Sequence, residues 1–464
     1  MSSYPIRASM IAVLATVVAL TAAVGTGNGF AGAATAQKVT TGDNTPSATA
    51  PALELSSTSI GSTCPSGVAQ GSPGMTSKNI NVAAIATESG SLAGDFAAMV
   101  PGVKAYFSFI NASGGVNGRK FTLAYNIDDQ GNPSQYSQAV QTAVEQDHAF
   151  GLVGVASPFF APNFVTQNCI PTYGYNVTHN WAGPPNLYST GGSALYYPAI
   201  GYYAAYLMKR LKVKSFATLA YGVAASSDSC NAVNTSLTKV GLKQAYTDLG
   251  VSIAGNLSPD VQHIKSSGAQ LVITCMSVTD NVSLARGLKQ YGVKTKQYWL
   301  NGEDPSTLAN YGNLVQGVYF GTQHVPFAAP LKYYPAMKTY LAAMKKYQPK
   351  YAQDELSIQG WASAALFVQG VKNAGSNVTQ ANVVKQDNLL TNWTANGLYY
   401  PIDWTSAHTK STNFCEAIIQ AQGKKYVPVF NRGHQVFNCF AINQANPVPV
   451  NPTPIASPAG TPGT

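Results

Sequence analysis

Glu303 and Asp304 follow Trp299-Leu300-Asn301-Gly302, two neighbouring carboxylates at what reads as the carboxyl end of a strand. Acids placed there either cap the next helix or offer a charged acceptor to a ligand's cation. A second group is Gly151-Leu152-Val153-Gly154-Val155-Ala156-Ser157, an apolar strand closing in a small-residue turn. Ser157 and the amides beside it suit a carboxylate or another acceptor oxygen, although a tight connection needs Gly and Ser in any case. Asn176 and Thr178, in the stretch Ile170–Thr178, add amide and hydroxyl groups, and Thr178 equally suits a helix cap. Glu88 and Ser89, Tyr221, Ser277 and Trp361 complete the candidates for a binding wall. Trp361 is also a natural core residue, because large aromatics are usually buried.

Catalytic patterns are weaker. Ser236-Leu237-Thr238-Lys239 matches S-x-x-K and Thr279-Asp280-Asn281 loosely mimics S-D-N, but no K-T-G follows. No G-x-S-x-G, phosphate loop or H-E-x-x-H is present, and the six His are scattered. Asp128 and Asp129 are adjacent, so on an extended chain they point apart and do not share a site. No C-x-x-C or C-x-x-H spacing occurs, so no zinc site is expected. The expectation is a binding protein rather than an enzyme, with no metal and no cofactor.

At 464 residues the chain can bury two ordinary cores. Charged residues are only 10% and the 26 Tyr dominate the aromatics, a composition suited to exported solute-handling proteins. The net charge of +9 is spread along the chain without the basic, aromatic-interleaved cluster that nucleic acid requires, so no nucleic-acid partner is expected. Met10–Val24 is free of charge, short for a membrane span and right for a signal-peptide core, with Ala34-Thr35-Ala36 as a cleavage site and Ala31-Gly32-Ala33 as a rival. Residues 1–36 thus read as a signal peptide and 37–77 as a flexible Thr/Ser/Pro-rich tether. The proline-rich stretch 441–464 reads as a disordered tail. The mature protein is expected to be exported, in the cell envelope or outside it, and soluble.

The six cysteines are even in number and lie in an oxidising compartment, so disulfides are expected. Cys415 and Cys439 flank two strand-like runs and could staple a hairpin. Cys230 with Cys275 and Cys64 with Cys169 are then the neighbouring pairs along the sequence.

The elements that must position these groups alternate. Strands are expected at Ile80–Ile85, Phe121–Asn126, Gly151–Val155, Ser215–Ala220, Leu271–Cys275, Gln297–Leu300 and Val318–Gly321. Helices are expected at Val100–Asn111, Ser134–Gln146, Tyr197–Leu211, Ser236–Leu249, Asn281–Tyr291, Tyr334–Gln348 and Ile358–Asn373. This order argues for parallel, doubly wound α/β sheets. The rhythm restarts near Lys214, which suggests two lobes with a cleft between them.

One turn is especially specific. Ile110-Asn111-Ala112-Ser113-Gly114-Gly115-Val116-Asn117-Gly118-Arg119 joins a helix to a strand, after a first strand that ends in Glu88-Ser89-Gly90. This run resembles the opening of bacterial extracytoplasmic solute-binding proteins of the leucine/isoleucine/valine type, in the periplasmic-binding-protein type I family. There "IN-x-x-GG-x-x-G-[RK]" links the first helix to the second strand. Gly397-Leu398-Tyr399-Tyr400-Pro401-Ile402-Asp403-Trp404 is loosely similar to the family's late strand entry. The resemblance covers about 80–440 and implies two doubly wound parallel-sheet lobes joined by a three-strand hinge. The first lobe would be 78–194 with 326–400, and the second 195–325 with 401–440.

It also implies roles. Ser157, Asn176 and Thr178 would hold the ligand's acceptor end and Glu303 its ammonium, or Asp304 if the register slips by one, with Ser89, Tyr221, Ser277 and Trp361 as further wall. Pro158 stands where the family commonly has its serine, and proline has no N–H to donate. This argues against a standard amino-acid clamp and leaves amides, urea-like compounds, amines and atypical amino acids open. The implied function is a monomeric receptor that traps a small polar ligand for the membrane permease of an ABC importer. A ligand sensor or surface interaction protein on the same fold is the alternative from another class, and a secreted hydrolase a third.

Overall fold

The computed structural model describes residues 63–441 apart from 196, 352, 411 and 412, together with 453–457 and 459–463. The expected signal peptide, the first part of the expected tether and part of the expected tail lie outside the described residues.

β1 (Asn79–Ala86) is an interior strand of the first sheet. Its residues from Val82 to Ala86 are all fully buried, as expected of a parallel strand covered by helices on both faces. β2 (Lys120–Asp128), β3 (Leu152–Val155), β4 (Thr172–Gly174) and β5 (Leu187–Ser189) complete it in the order β2-β1-β3-β4-β5, every pair parallel. The turn before β2 depends on glycine. Gly115 has φ +76°, and a Cβ there would lie 2.0 Å from the Arg119 carbonyl oxygen.

The second sheet contains β6 (Ser215–Tyr221), β7 (Lys243–Val251), β8 (Leu271–Cys275), β9 (Lys296–Trp299) and β10 (Tyr319–Thr322). It is extended by β11 (Asn413–Gln422), β12 (Lys425–Val429) and β13 (Phe437–Ala441). The order is β12-β11-β10-β9-β8-β6-β7, with β13 also on β11. Strands β6 to β10 run parallel, and β11 is antiparallel to β10, β12 and β13.

Both sheets reverse direction next to their first strand, between β1 and β3 and between β6 and β8. Ligands in open α/β sheets collect beyond the carboxyl ends of the strands at such reversals. The chain passes between the sheets three times. It leaves β5 for the helix Pro198–Leu211, leaves β10 for the helix Pro335–Tyr347, and returns after Trp404 into β11. The crossing segments hydrogen-bond to one another, as in Ser193 N to Ala407 O at 3.0 Å and Val325 N to Leu398 O at 2.8 Å.

The helices Met99–Ala112 and Glu355–Ala374 cross on the first sheet so closely that glycines are required. A Cβ on Gly102 would lie 1.9 Å from the Ser357 carbonyl oxygen, and one on Gly360 would lie 2.0 Å from that of Met99.

Three expectations change. The helix over Ser236–Leu249 is instead a helix at Ala224–Lys239 followed by β7. Gly241, at φ +82°, turns the chain, and the following residues pair with β6 as the edge strand. Residues 63–77 of the tether are fixed. Cys64 is bonded to Cys169, Ala69 O accepts from Ala381 N at 2.8 Å, and Met75 pairs with Ile80. Part of the tail also docks, with Ile455 N on Cys439 O at 2.8 Å and an Arg432 nitrogen on Pro454 O at 2.7 Å.

The disulfides pair Cys64 with Cys169, Cys230 with Cys275 and Cys415 with Cys439, the three sequence-neighbour pairs. Cys415 and Cys439 face each other in register across β11 and β13. No described helix is long and apolar enough to cross a membrane.

Candidate functional site

A cavity of about 630 Å³ lies between the carboxyl ends of the two sheets, within the usual range for a small-molecule site. Its first-lobe wall includes Leu92, Asp95, Phe96, Pro158, Tyr175 and Asn176; its second-lobe wall includes Tyr221, Ser226, Met276, Ser277, Leu300 and Asn301. Gly191 and Gln323, on the crossing segments, and Glu416, in β11, close it.

Several helices begin in this wall, and three of them bring their own acid. The helix Val278–Gln290 starts at Ser277, whose hydroxyl accepts from Asp280 N. Pro305–Val315 starts at Asp304, which accepts from the amides of Ser306 and Thr307. Glu355–Ala374 starts at Asp354, which accepts from Ser357 N in a reciprocal capping box. A helix N-terminus favours negative charge, and here the chain's own carboxylates supply it. The helix Ala224–Lys239 differs, beginning at Val223 with no side-chain cap.

Two hydrogen bonds bridge the lobes. Val278 N donates to Asp95 Oδ1 at 3.2 Å, and Gly302 N donates to Glu355 Oε2 at 3.1 Å. Both acceptors are first-lobe carboxylates and both donors are second-lobe amides. Burial pushes the carboxyl of Asp95 up to about 6, with nearby Asp280 adding to the shift. Burial likewise raises Asp354 to about 7, Glu355 to about 8 and Glu416 to about 8. Asp304 raises Asp354 further, Asp354 and Asp95 raise Glu355, and Glu355 raises Glu416. Glu416 also accepts a short hydrogen bond from the Tyr298 hydroxyl. Gly321 makes room for it, since a Cβ there would collide with the Glu416 carboxylate.

Of the residues singled out in the sequence, the structure brings Asn176, Tyr221 and Ser277 to the cavity. The Tyr221 hydroxyl joins Ser277 Oγ at 2.8 Å and Asp280 Oδ2 at 2.5 Å, a rigid polar corner at the β6/β8 reversal. Asn176 is held by Gly192 O and the Ser189 hydroxyl.

The others stand elsewhere. Ser89 is exposed in the loop after β1 and outside the wall. Ser157 is buried, and its hydroxyl accepts from Phe159 N at 3.1 Å, so it shapes the turn while Pro158 faces the cavity. Thr178 precedes a short 3-10 turn without capping it. Trp361 packs edge-on against Tyr106 and Tyr340 in the first-lobe core.

Glu303 is fully buried behind the wall, where it accepts from Phe327 N at 2.9 Å near His324. Burial holds its carboxyl well above the usual range and pushes the His324 imidazole down to about 4. Its neighbour Asp304 lines the cavity instead.

The acids that sequence reasoning missed are Asp95, Asp354, Glu355 and Glu416. Asp354 and Glu355 precede a helix whose start the sequence places at Ile358. An Asp-Glu pair there is the available signal, but it reads as a plain cap. Glu416 sits mid-strand with nothing local to mark it.

The sequence from 79 to 425 matches a protein family described as periplasmic binding protein. No curated protein matches the chain. Among solved structures, the fold is similar to a fatty acid ABC transporter substrate-binding protein from Thermomonospora curvata, at 20% identity and TM-score 0.68, covering 81% of this chain and 98% of that one. It is also similar to an ABC transporter solute-binding protein from R. palustris in complex with benzoate, at 16% identity, TM-score 0.63 and coverage of 76% and 95%. A third is a branched chain amino acid ABC transporter protein from Thermus thermophilus with bound valine, at 16% identity, TM-score 0.63 and coverage of 76% and 96%. With a matched family spanning most of the chain, two doubly wound lobes and a cavity between them, this chain belongs to the periplasmic binding protein family and has its type I fold.

Proposed function

We propose that this protein is an exported, monomeric solute receptor that traps a small polar ligand between its lobes and presents it to the permease of an ABC importer. The ligand class is an amino acid, an amide or a related compound. The observation that carries this reading is the cavity at the two sheet reversals, walled by side chains from both lobes. A ligand touching both walls binds the closed arrangement better than the open one, and that difference in affinity is what drives closure. Asn176 from the first lobe and Tyr221 with Ser277 from the second would supply polar contacts. The fatty acid, benzoate and valine named for the similar structures mark the fold as permissive, so the wall's own chemistry must select the ligand.

A thermal-shift panel of amino acids, their amides, the derived amines and amine-free carboxylates tests the receptor role. A compound at 100 times its dissociation constant adds about 2.7 kcal/mol of stability, a clear displacement of the melting curve. Uptake of the stabilising compound should then require both this protein and the permease. Binding without any dependence of uptake on the protein favours a sensor, and a panel with no binder at all removes the receptor reading.

A further inference from the structure

We propose that the cavity's ligand is an organic cation lacking a carboxylate, an amine or guanidine carried on an apolar or aromatic body. This deepens the receptor reading above and rests on it.

The first argument is charge. The chain carries a net charge of +9, yet among the described residues lining the cavity there is no Lys, Arg or His. The same wall holds Asp95, Asp304, Asp354, Glu355 and Glu416. A ligand carboxylate entering this space would find no basic partner, and it would further oppose the ionisation that burial already disfavours at Asp95, Glu355 and Glu416. The amides at the starts of three wall helices, which would otherwise suit an anion, already have the chain's own carboxylates. An entering ammonium meets the opposite situation. Asp95 and Glu355 lose solvation in the cleft, and each has one protein amide among its partners. A cation between them restores the ionised forms that burial disfavours.

The second argument is the rest of the lining. Five tyrosines, at 175, 197, 221, 311 and 351, face the cavity. Tyr311 and Tyr351 are 39% and 54% exposed, leaving ring surface open at the rim. Aromatic faces attract cations, most of all where water is displaced. Leu92, Phe96, Val177 and Leu300 provide apolar wall for a hydrocarbon body. Asn301 Oδ1, screened from solvent in the same wall, lacks a hydrogen-bond partner and is another acceptor awaiting a donor. A metal ion does not fit the same acids, because no group of three His, Cys, Asp or Glu among the described residues is arranged to hold one.

The test is calorimetric titration of the whole mature protein with two matched series: benzylamine, benzyl alcohol and benzoate; and hexylamine, hexanol and hexanoate. The amines should bind about ten-fold or more tightly than the alcohols, the scale of a charge-assisted contact, and the carboxylates least well. Glu355→Gln, which keeps an acceptor for Gly302 N, should erase most of the amine's advantage without weakening the alcohol, and Asp95→Asn should do the same. If either variant fails to fold, the wild-type series still decides. Carboxylates binding best, or alcohols matching amines, overturns the cationic ligand and leaves the receptor role standing. Amine affinity unchanged in folded variants of both acids also overturns it. No binding by either series, nor by amino acids and amides, overturns both readings.

Discussion

The two sheet reversals have the same geometry and different chemistry. At the β6/β8 reversal, Tyr221 and Ser277 reach the cavity tied to Asp280, and the Cys230–Cys275 disulfide fastens the helix Ala224–Lys239 to the end of β8. At the β1/β3 reversal, Ser157 turns inward onto Phe159 N and Pro158 faces the cavity, while the acids of that wall arrive on helices. One wall is pinned covalently where a strand ends. The other depends on the helix crossing at Gly102 and Gly360. A shared fold therefore fixes where a ligand sits, but not which atoms meet it.

Removing the pin should have the largest effect. Cys230→Ala with Cys275→Ala opens a link of sequence separation 45, and should lower stability by about 2–4 kcal/mol, read from denaturant melts. If the second wall is held by the bond, ligand affinity should fall further than after the matching change at Cys64 and Cys169, whose bridge lies away from the cavity.

Gly102→Ala attacks the other wall. Its Cβ would strike the Ser357 backbone, so the helix bearing Asp354 and Glu355 must shift, at a cost of about 1–3 kcal/mol. Chemical denaturation gives the cost, and amide exchange at Gly302 should rise as its bond to Glu355 loosens.

Tyr221→Phe and Ser157→Ala form a matched pair. Tyr221 donates to a carboxylate, so its loss should cost about 1.5–3 kcal/mol, against about 0.5–1.5 for the neutral bond at Ser157. Only the Tyr221 change should alter ligand affinity. Equal effects on affinity would erase the contrast between the walls.

The last test is a pH slope. The Glu416 carboxyl, raised to about 8 by burial and by nearby Glu355, keeps its proton in the folded chain after the unfolded chain has released it near 4.5. The folded state then binds more protons, so this group's contribution is fully present below about 4.5 and fades as pH rises through 8. Glu416→Gln should flatten the ligand-free melting temperature between pH 5 and 8, since Gln still accepts from Tyr298.

Some of this was legible along the chain. Helix Met99–Ala112, the glycine turn and β2 follow from local periodicity and positive φ, so the sequence reading lands close to their limits. The Cys415–Cys439 bridge follows from two flanking strand-like runs. The helix expected over Ser236–Leu249 failed because the apolar residues there suit both periods, and the edge position of β7 was decided by its pairing with β6. Glu303 and Glu355 illustrate the limit for sites. Both are acids beside an element boundary, and nothing within ten residues of either says which one faces the cavity.

The sequence by itself determined the alternation of elements, the turn glycines and the absence of an enzyme's local signature, because these depend on neighbours along the chain. Only the tertiary structure decided that Glu303 lies behind the wall while Asp95, Glu355 and Glu416 share a cavity with no Lys, Arg or His among its described lining residues. Burial and charge are sums over atoms close in space, and these acids come from a short helix, a helix start and a strand more than 300 positions apart at the extremes, from Asp95 to Glu416.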